Sequence, residues 1–482
     1  MLFNSLEFLF LFLPLVLLLF FAAARLSPRA AIVSLTLASL FFYSWWDVRF
    51  LPVLLLSISY NYGMARWIAV AGRQAGRVLA LAVSGNLAAL YFYKYLDFSI
   101  VSINAATGLA LPLQQLELPL GISFFTFTQI AYLVDVRRQQ ADTTSPVNYA
   151  LFVTYFPHLI AGPILHHAQM MPQFRLPAVF RPAPAALAAG LLFLTIGLVK
   201  KIILADEFAS YASPVFRMAD AAAGMSMAEA WAGALAYTLQ LYFDFSGYCD
   251  MALGISLMFN IRLPLNFASP YKAANIIEFW RSWHMTLSQF LRDYLYIPLG
   301  GNRFGVWRRY LNLFLTMLLG GLWHGANWTF VIWGCLHGGF LIINHGFQAW
   351  RQRLGLPALP RAVGIALTLT VVVLAWVPFR ADNLDQALAL WQAMLSLGGG
   401  LEGDTLSGIR LSKAANWIIG GLLAVLLLPN SQDIVGRFQQ RLESVAVAPA
   451  KRWLVLGLLL GLVFSLTVMS IGHVSEFLYF QF

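Results

Sequence analysis

Phe8–Phe21 reads FLFLFLPLVLLLFF, and this stretch decides the fold class. It carries no charge. Backbone amides placed in hydrocarbon must be satisfied within their own segment, so such a run spans a membrane as a helix. No basic residue precedes it, and no small-residue cleavage site follows closely. It therefore reads as a retained first span and not as a signal peptide.

Working outward, the same texture repeats. A span needs about 20 mostly apolar residues. The sequence predicts spans over 5–24, 30–48, 50–66, 78–96, 119–136, 184–204, 228–259, 362–380, 415–430 and 452–472. Two further apolar segments, 310–323 and 327–349, are parted only by Gly325–Ala326. Of the 482 residues 60% are hydrophobic and 11% charged, where a soluble domain carries about 25% charged residues. No stretch has a soluble domain's mixed surface. One membrane domain over 1–482 is expected, with a catalytic core over about 119–349. No internal repeat or low-complexity segment is visible.

The net charge of +10 does not mark a nucleic-acid binder. The basic residues cap the apolar runs and form no patch, as topology and anionic headgroups require. Arg25 and Arg29, then Arg66, Arg73 and Arg77, then Arg137 and Arg138, then the belt from Arg262 to Arg309, fall on one side when spans alternate. That side is cytoplasmic, which places both termini outside. Lys200 and Lys201 break the pattern near an outer end and would be pore-lining if the span count is right. Cys249 and Cys335 have neither disulfide nor metal spacing.

Two regions do not read as plain spans. Residues 147–168, containing LFVTYFPHLIAGPILHH, are apolar but interrupted by Pro157, Gly162 and Pro163. Freed backbone groups cannot face lipid, so this segment is expected to be re-entrant and buried. Tyr271–Tyr310 is the most polar stretch. Its helix-like run Asn275–Tyr296 is too polar to span and is expected at the membrane interface.

Ionisable residues within spans are costly and so become candidate functional groups. Asp244 is one, with Gln240 four residues earlier on the same helical face; Asp250 faces another way. The bland reading of Asp244 is a tie to Ser246 or to a neighbouring arginine. Among the histidines, His324 stands out because it sits in a break between two apolar helices. Gly320, Gly321 and Gly325 around it permit close approach and unusual dihedrals. A neutral imidazole there can act as general base. His284, His324 and His337 lack a carboxylate or cysteine at ligand spacing, so no metal is expected among them. No P-loop, GxSxG or GxGxxG motif is present. From the residues alone, a proton relay or a structural role for His324 stays open beside catalysis.

At these residues the sequence resembles a known family. FWRSWHMTLSQFLRDYLYIPLGGNR (Phe279–Arg303) followed by GLWHGANW (Gly321–Trp328) is similar to the membrane-bound O-acyltransferases. YFDFSGYCDMALGISLMFN, LPLNFASPY, PLGISFFTFTQIAYLVDV, YFPHLIAGPI and the terminal FLYFQF resemble one branch of that family. It holds the alginate O-acetylation membrane protein, the teichoic acid D-alanine transfer protein, and peptidoglycan and cellulose acetylation relatives. The resemblance runs over nearly the whole chain. Ser282 stands where the family usually has a second arginine.

The resemblance implies an all-α polytopic fold of about eleven transmembrane helices plus re-entrant pieces around a central funnel or tunnel. It implies acyl transfer from a cytoplasmic thioester to an acceptor reached from outside. His324 matches the principal catalytic histidine and His284 the second. His284 is expected to orient Trp280 on the same helix face, or the donor. Trp323, Asn327 or His284 could supply hydrogen-bond donors to the oxyanion. Asp244 is a candidate for the substrate path, and Arg281 and Arg303 suit the phosphates of CoA at the cytoplasmic mouth. The resemblance also makes Tyr479 a candidate transient acyl carrier.

The expected function is O-acetylation of an exopolysaccharide such as alginate, from the bacterial cytoplasmic (inner) membrane. Acetyl-CoA is the expected donor, with no bound cofactor, and an extracytoplasmic SGNH-type acetyltransferase is the expected partner. D-alanyl transfer from a carrier-protein thioester and a long-chain acyl donor are the rivals within the class. An ion or solute transporter is the rival outside it, although no paired halves are visible.

Overall fold

The computed structural model describes residues 1–219, 225–395, 408–443, 450–472 and 477–478. Every stretch predicted to span is helical, and no strand occurs among the described residues. Five helices are long and apolar enough to cross a membrane: Phe8–Leu26, Gly72–Thr107, Pro184–Met218, Trp328–Arg353 and Arg361–Arg380. A sixth is counted if the bent pair Leu411–Leu427 and Ser431–Leu442 is one span. The remaining predicted spans form shorter or less apolar helices, among them Pro28–Ser44 and Ile122–Arg137. Leu18, Leu37, Leu56, Ile419 and Leu458 point outward and exposed. Such an apolar exterior suits lipid and not water.

Local chemistry sets the helix starts. Ser27 accepts a hydrogen bond from the Ala30 amide at 3.0 Å, with Pro28 in the first turn, so the second helix begins directly after the first ends. Ser145 does the same for Pro146–Thr154. Asn327 caps Trp328–Arg353 through the Thr329 amide at 3.1 Å. Gly108 ends the helix before it in the left-handed conformation that glycine adopts without penalty.

The chain forms two compact units interleaved in sequence. The first takes Met1–Leu198, Tyr248–Pro264 and the chain from Ser431. Within it, Gly190 and Gly254 face each other so closely that a Cβ on Gly190 would lie 2.6 Å from the Gly254 carbonyl oxygen. Small residues are what let membrane helices approach in this way. The segment around Pro157 breaks at Tyr155 into two short helices, Pro146–Thr154 and Phe156–Leu159. Leu151 to Phe156 are buried completely, so its freed backbone groups are kept from lipid.

The second unit takes Val199–Gly247 and Leu265–Asn430. Here Gly305–His324 packs along Trp328–Arg353, held close by Gly321 and Gly334. A Cβ on Gly321 would meet the Phe330 carbonyl oxygen at 2.3 Å, and one on Gly334 the Met317 carbonyl at 2.6 Å. Gly325 has an extended backbone, φ −158°, so it is not there for an unusual dihedral. It is there for space: a Cβ would lie 2.1 Å from the Phe330 ring.

Asn275–Tyr296 departs from expectation. It is not one helix lying at the interface. Ile276–Ser282 and Met285–Leu291 are separate helices, followed by a π-helical turn at Arg292–Tyr296. Phe279, Trp283, His284 and Leu287 are buried. Of its polar residues, Asn275 and Glu278 serve the helix start and His284 and Thr286 the break described next.

Candidate active site

His284 lies in the break, with φ 44° and ψ 53°, a left-handed conformation rare for a side chain of its size. The break is held from both sides by one loop. The Met285 amide donates to the Asn266 carbonyl at 3.0 Å, and the Ala268 amide donates to the Ser282 carbonyl at 2.9 Å. The Asn266 side chain then orients the ring. Its Oδ1 accepts from the Thr286 amide at 3.2 Å and from the Thr286 hydroxyl at 2.9 Å, and lies 3.1 Å from His284 Nδ1. A backbone amide can only donate, so the Asn266 atom facing it is the oxygen. His284 Nδ1 therefore carries the proton, and Nε2 presents a lone pair. In the neutral ring this argues against the expected N–H donation from His284 to an oxyanion.

His324 is the last residue of its helix and is buried. Its ring centroid is 6.3 Å from that of His284 and 5.0 Å from that of Trp323. Trp333 and Phe379 meet it edge-on at 5.0 and 5.1 Å. Phe245 closes the other side of His284 at 4.8 Å, also edge-on. Two imidazoles thus share a pocket of aromatic rings in the second unit. Such walls exclude water and strengthen every electrostatic interaction inside. An imidazole here can take a proton from a hydroxyl without competition from bulk solvent.

The other predicted residues fare differently. Trp280 is not oriented by His284. Its helix ends at Ser282, and its indole N–H donates to His337 Nδ1 at 3.2 Å. The expected shared helix face does not exist because the chain turns left-handed at His284. Asn327 caps its own helix through Oδ1, and its amide nitrogen donates one of its two hydrogens to the Asp382 carbonyl at 2.9 Å. Asp244 is buried and bound to Lys201, with Nζ 2.7 Å from Oδ1. A lysine on another helix is thus a partner of its carboxylate. Arg281 and Arg303 are exposed. Tyr479 lies outside the described residues. The two described residues before it, Phe477 and Leu478, are buried in the first unit, where Phe477 meets Tyr248 edge-on at 4.6 Å.

Sequence reasoning passed over Asn266, Trp333 and Phe379, and weighed His337 only as a metal ligand. Asn266 lay within the quoted LPLNFASPY, and an asparagine amid prolines was its only signal. The aromatic residues had none, since their meeting depends on helix crossing.

Comparison with known proteins decides the family. The model of MBOAT, the membrane-bound O-acyltransferase family, matches residues 56–374. The chain belongs to this family. The O-acyltransferase is a multi-pass membrane enzyme, and it is 44% identical over 445 residues to a "Peptidoglycan O-acetyltransferase" of Helicobacter pylori, covering 86% of this chain and 82% of that one. It is 44% identical over 411 residues to a "Probable alginate O-acetylase AlgI" of Pseudomonas aeruginosa, covering 83% and 75%. A "Teichoic acid D-alanyltransferase" of Streptococcus thermophilus is 27% identical over 283 residues, covering 54% and 68%.

Proposed function

We propose that this O-acyltransferase takes an acetyl group from cytoplasmic acetyl-CoA and passes it across the bacterial cytoplasmic membrane. The acetyl serves O-acetylation of an exopolysaccharide such as alginate. The observation that carries the reading is the buried pair His324 and His284 within one aromatic wall, 6.3 Å between ring centroids. The names of the relatives support acetyl over D-alanyl: those at 44% identity are called O-acetyltransferase and O-acetylase, whereas a D-alanyltransferase stands at 27%.

His324 accepts the proton of the attacking hydroxyl. The hydroxyl oxygen bonds to the acetyl carbonyl carbon, the carbon–sulfur bond breaks, and CoA leaves as thiolate, taking up the proton from His324. The thioester is already activated, so positioning and proton transfer carry most of the catalysis. Arg281 and Arg303 are exposed and can receive the CoA phosphates at the basic, cytoplasmic end.

Tyr479 is the proposed first acceptor. A phenol ester stays activated, because phenoxide leaves with a pKa of about 10. An SGNH-type transferase outside the membrane then takes the acetyl from Tyr479 to the polysaccharide, and both termini face outward. Burial of Phe477 and Leu478 supports a tail that folds back onto the protein.

The test uses radiolabelled acetyl-CoA and the full chain in vesicles. Label leaving CoA is expected, with a loss of about 10²–10⁴-fold in His324→Ala. Near-wild-type transfer in that variant sinks the reading. Tyr479→Phe should keep donor binding and block acetylation of the acceptor. Preference for acetyl-CoA over palmitoyl-CoA separates this reading from a long-chain acyltransferase, and over a D-alanyl carrier protein from the teichoic acid reading.

A further inference from the structure

The broken segment around Pro157 ends in a pair of adjacent histidines that the proposed chemistry does not use. In the first unit, His166 Nε2 lies 2.8 Å and His167 Nε2 lies 3.1 Å from the same oxygen, Oδ2 of Asp135. Asp135 belongs to the last turn of Ile122–Arg137, and the histidines to the exit of the broken 151–167 segment. One ligand atom from each of the three lies within 4.8 Å of the other two. Sequence reading missed the group because the carboxylate sits on a different element from the histidines.

The spacing suits a metal ion. A divalent ion bound at about 2.0–2.2 Å, with ligands roughly 90–110° apart, separates neighbouring ligand atoms by about 2.9–3.5 Å. Both oxygen–nitrogen edges are close to that range. Asp135 and His167 are buried, and the His166 side chain is 32% exposed, which leaves a path for an ion and a fourth, solvent ligand. The other carboxylate oxygen, Oδ1, lies 3.4 Å from Arg138. That outer partner holds the carboxylate so that Oδ2 faces the imidazoles.

We propose that Asp135, His166 and His167 form a zinc site. Two imidazoles and a carboxylate favour zinc over magnesium or calcium, which take all-oxygen sites. Binding through Nε2 moves each neutral ring's proton to Nδ1. At His166 this forfeits the 3.2 Å hydrogen bond that Nδ1 accepts from the Ala168 amide. The ion replaces two hydrogen bonds to Asp135 by three coordinate bonds. It clamps the basic end of one helix to the exit of the re-entrant segment.

The full chain, purified in detergent and stripped by chelator, is given zinc alone. One zinc per chain is expected by elemental analysis after desalting. Cobalt in its place should show the visible ligand-field bands of a four-coordinate site. His166→Ala/His167→Ala should abolish both signals, and Asp135→Asn should weaken zinc at least tenfold in competition with a chromogenic chelator. His324→Ala should bind zinc as the wild type does. Should the double variant fail to fold, His166→Ala alone decides, because its ring is partly exposed: tenfold weaker zinc supports the site, and unchanged affinity overturns it. Absence of saturable zinc in the wild type also overturns it and leaves the two histidines as hydrogen-bonded clamps on Asp135.

Discussion

The ammonium of Lys201 lies 2.7 Å from the carboxylate of Asp244, and both side chains are all but sealed from solvent. Lys201 also reaches Asp206 at 3.1 Å. It sits in a π-helical turn, Val199–Ala205, and such turns redirect side chains out of the regular helical register. This accounts for a lysine that defies the topology rule: it faces a partner in protein and not the bilayer.

Breaking that pair should cost more than deleting it. Removing one member of a buried ion pair costs about 3–5 kcal/mol, and less for Asp244→Leu, where Lys201 keeps Asp206 at 3.1 Å. Lys201→Met and Asp244→Leu should each lower the thermal midpoint in detergent sharply. The double variant should recover most of the loss. Additive losses would mean that the two charges do not interact.

His284 offers a separation of fold from chemistry. Its left-handed backbone costs an ordinary L-residue about 1–2 kcal/mol and costs glycine little. His284→Gly should therefore be more stable than His284→Ala by about 1 kcal/mol, while both lose the imidazole and show reduced acetyl transfer. Equal stability of the two variants would mean that the break at 284 relaxes once the ring is gone.

Gly321→Ala tests the helix contact that carries His324. The added methyl would lie 2.3 Å from the Phe330 carbonyl oxygen and 3.0 Å from the Gly334 Cα. Backbone cannot step aside as a side chain can, so the helices must part. Overpacking of this kind costs about 1–3 kcal/mol. Transfer should fall with stability, although no catalytic atom is touched. An unchanged midpoint would show that the two helices slide freely.

Asp142, in the loop between Arg137 and Pro146, predicts an acid response. Its carboxyl is held below the usual range by hydrogen bonds from Thr144 and then by Arg175. A depressed folded-state value contributes stability that is present above about pH 4, the unfolded value, and is lost as pH falls through the lowered one. The midpoint difference between wild type and Asp142→Asn should hold at neutral pH and shrink below about pH 4. A difference that persists at the lowest pH would place the effect elsewhere.

Much of this molecule was legible from the chain. Helices stand where the apolar runs predicted them, and the interrupted segment around Pro157 is broken and buried. The two histidines drawn from FWRSWH and GLWH do meet. Trp280 was assigned a neighbour, His284, that it does not have; its indole meets His337 instead. The error came from extending a regular helix through a position where the backbone turns. Asp244 was singled out correctly as buried, but its partner lies 43 positions back, on another helix.

Hydropathy and the need to satisfy backbone amides are properties of contiguous segments. The sequence by itself therefore determined a helical, lipid-embedded chain, and its motifs pointed to acyl transfer. Tertiary structure decided which side chains touch. Lys201 with Asp244, His284 with Asn266, Trp280 with His337 and Asp135 with two histidines are contacts of about 3 Å between distant segments. A shift of one residue in register, or one helix continued past Ser282, would undo them. Directional bonds depend on where helices break and cross, and those crossings are set by glycines and aromatic rings whose packing no local pattern encodes.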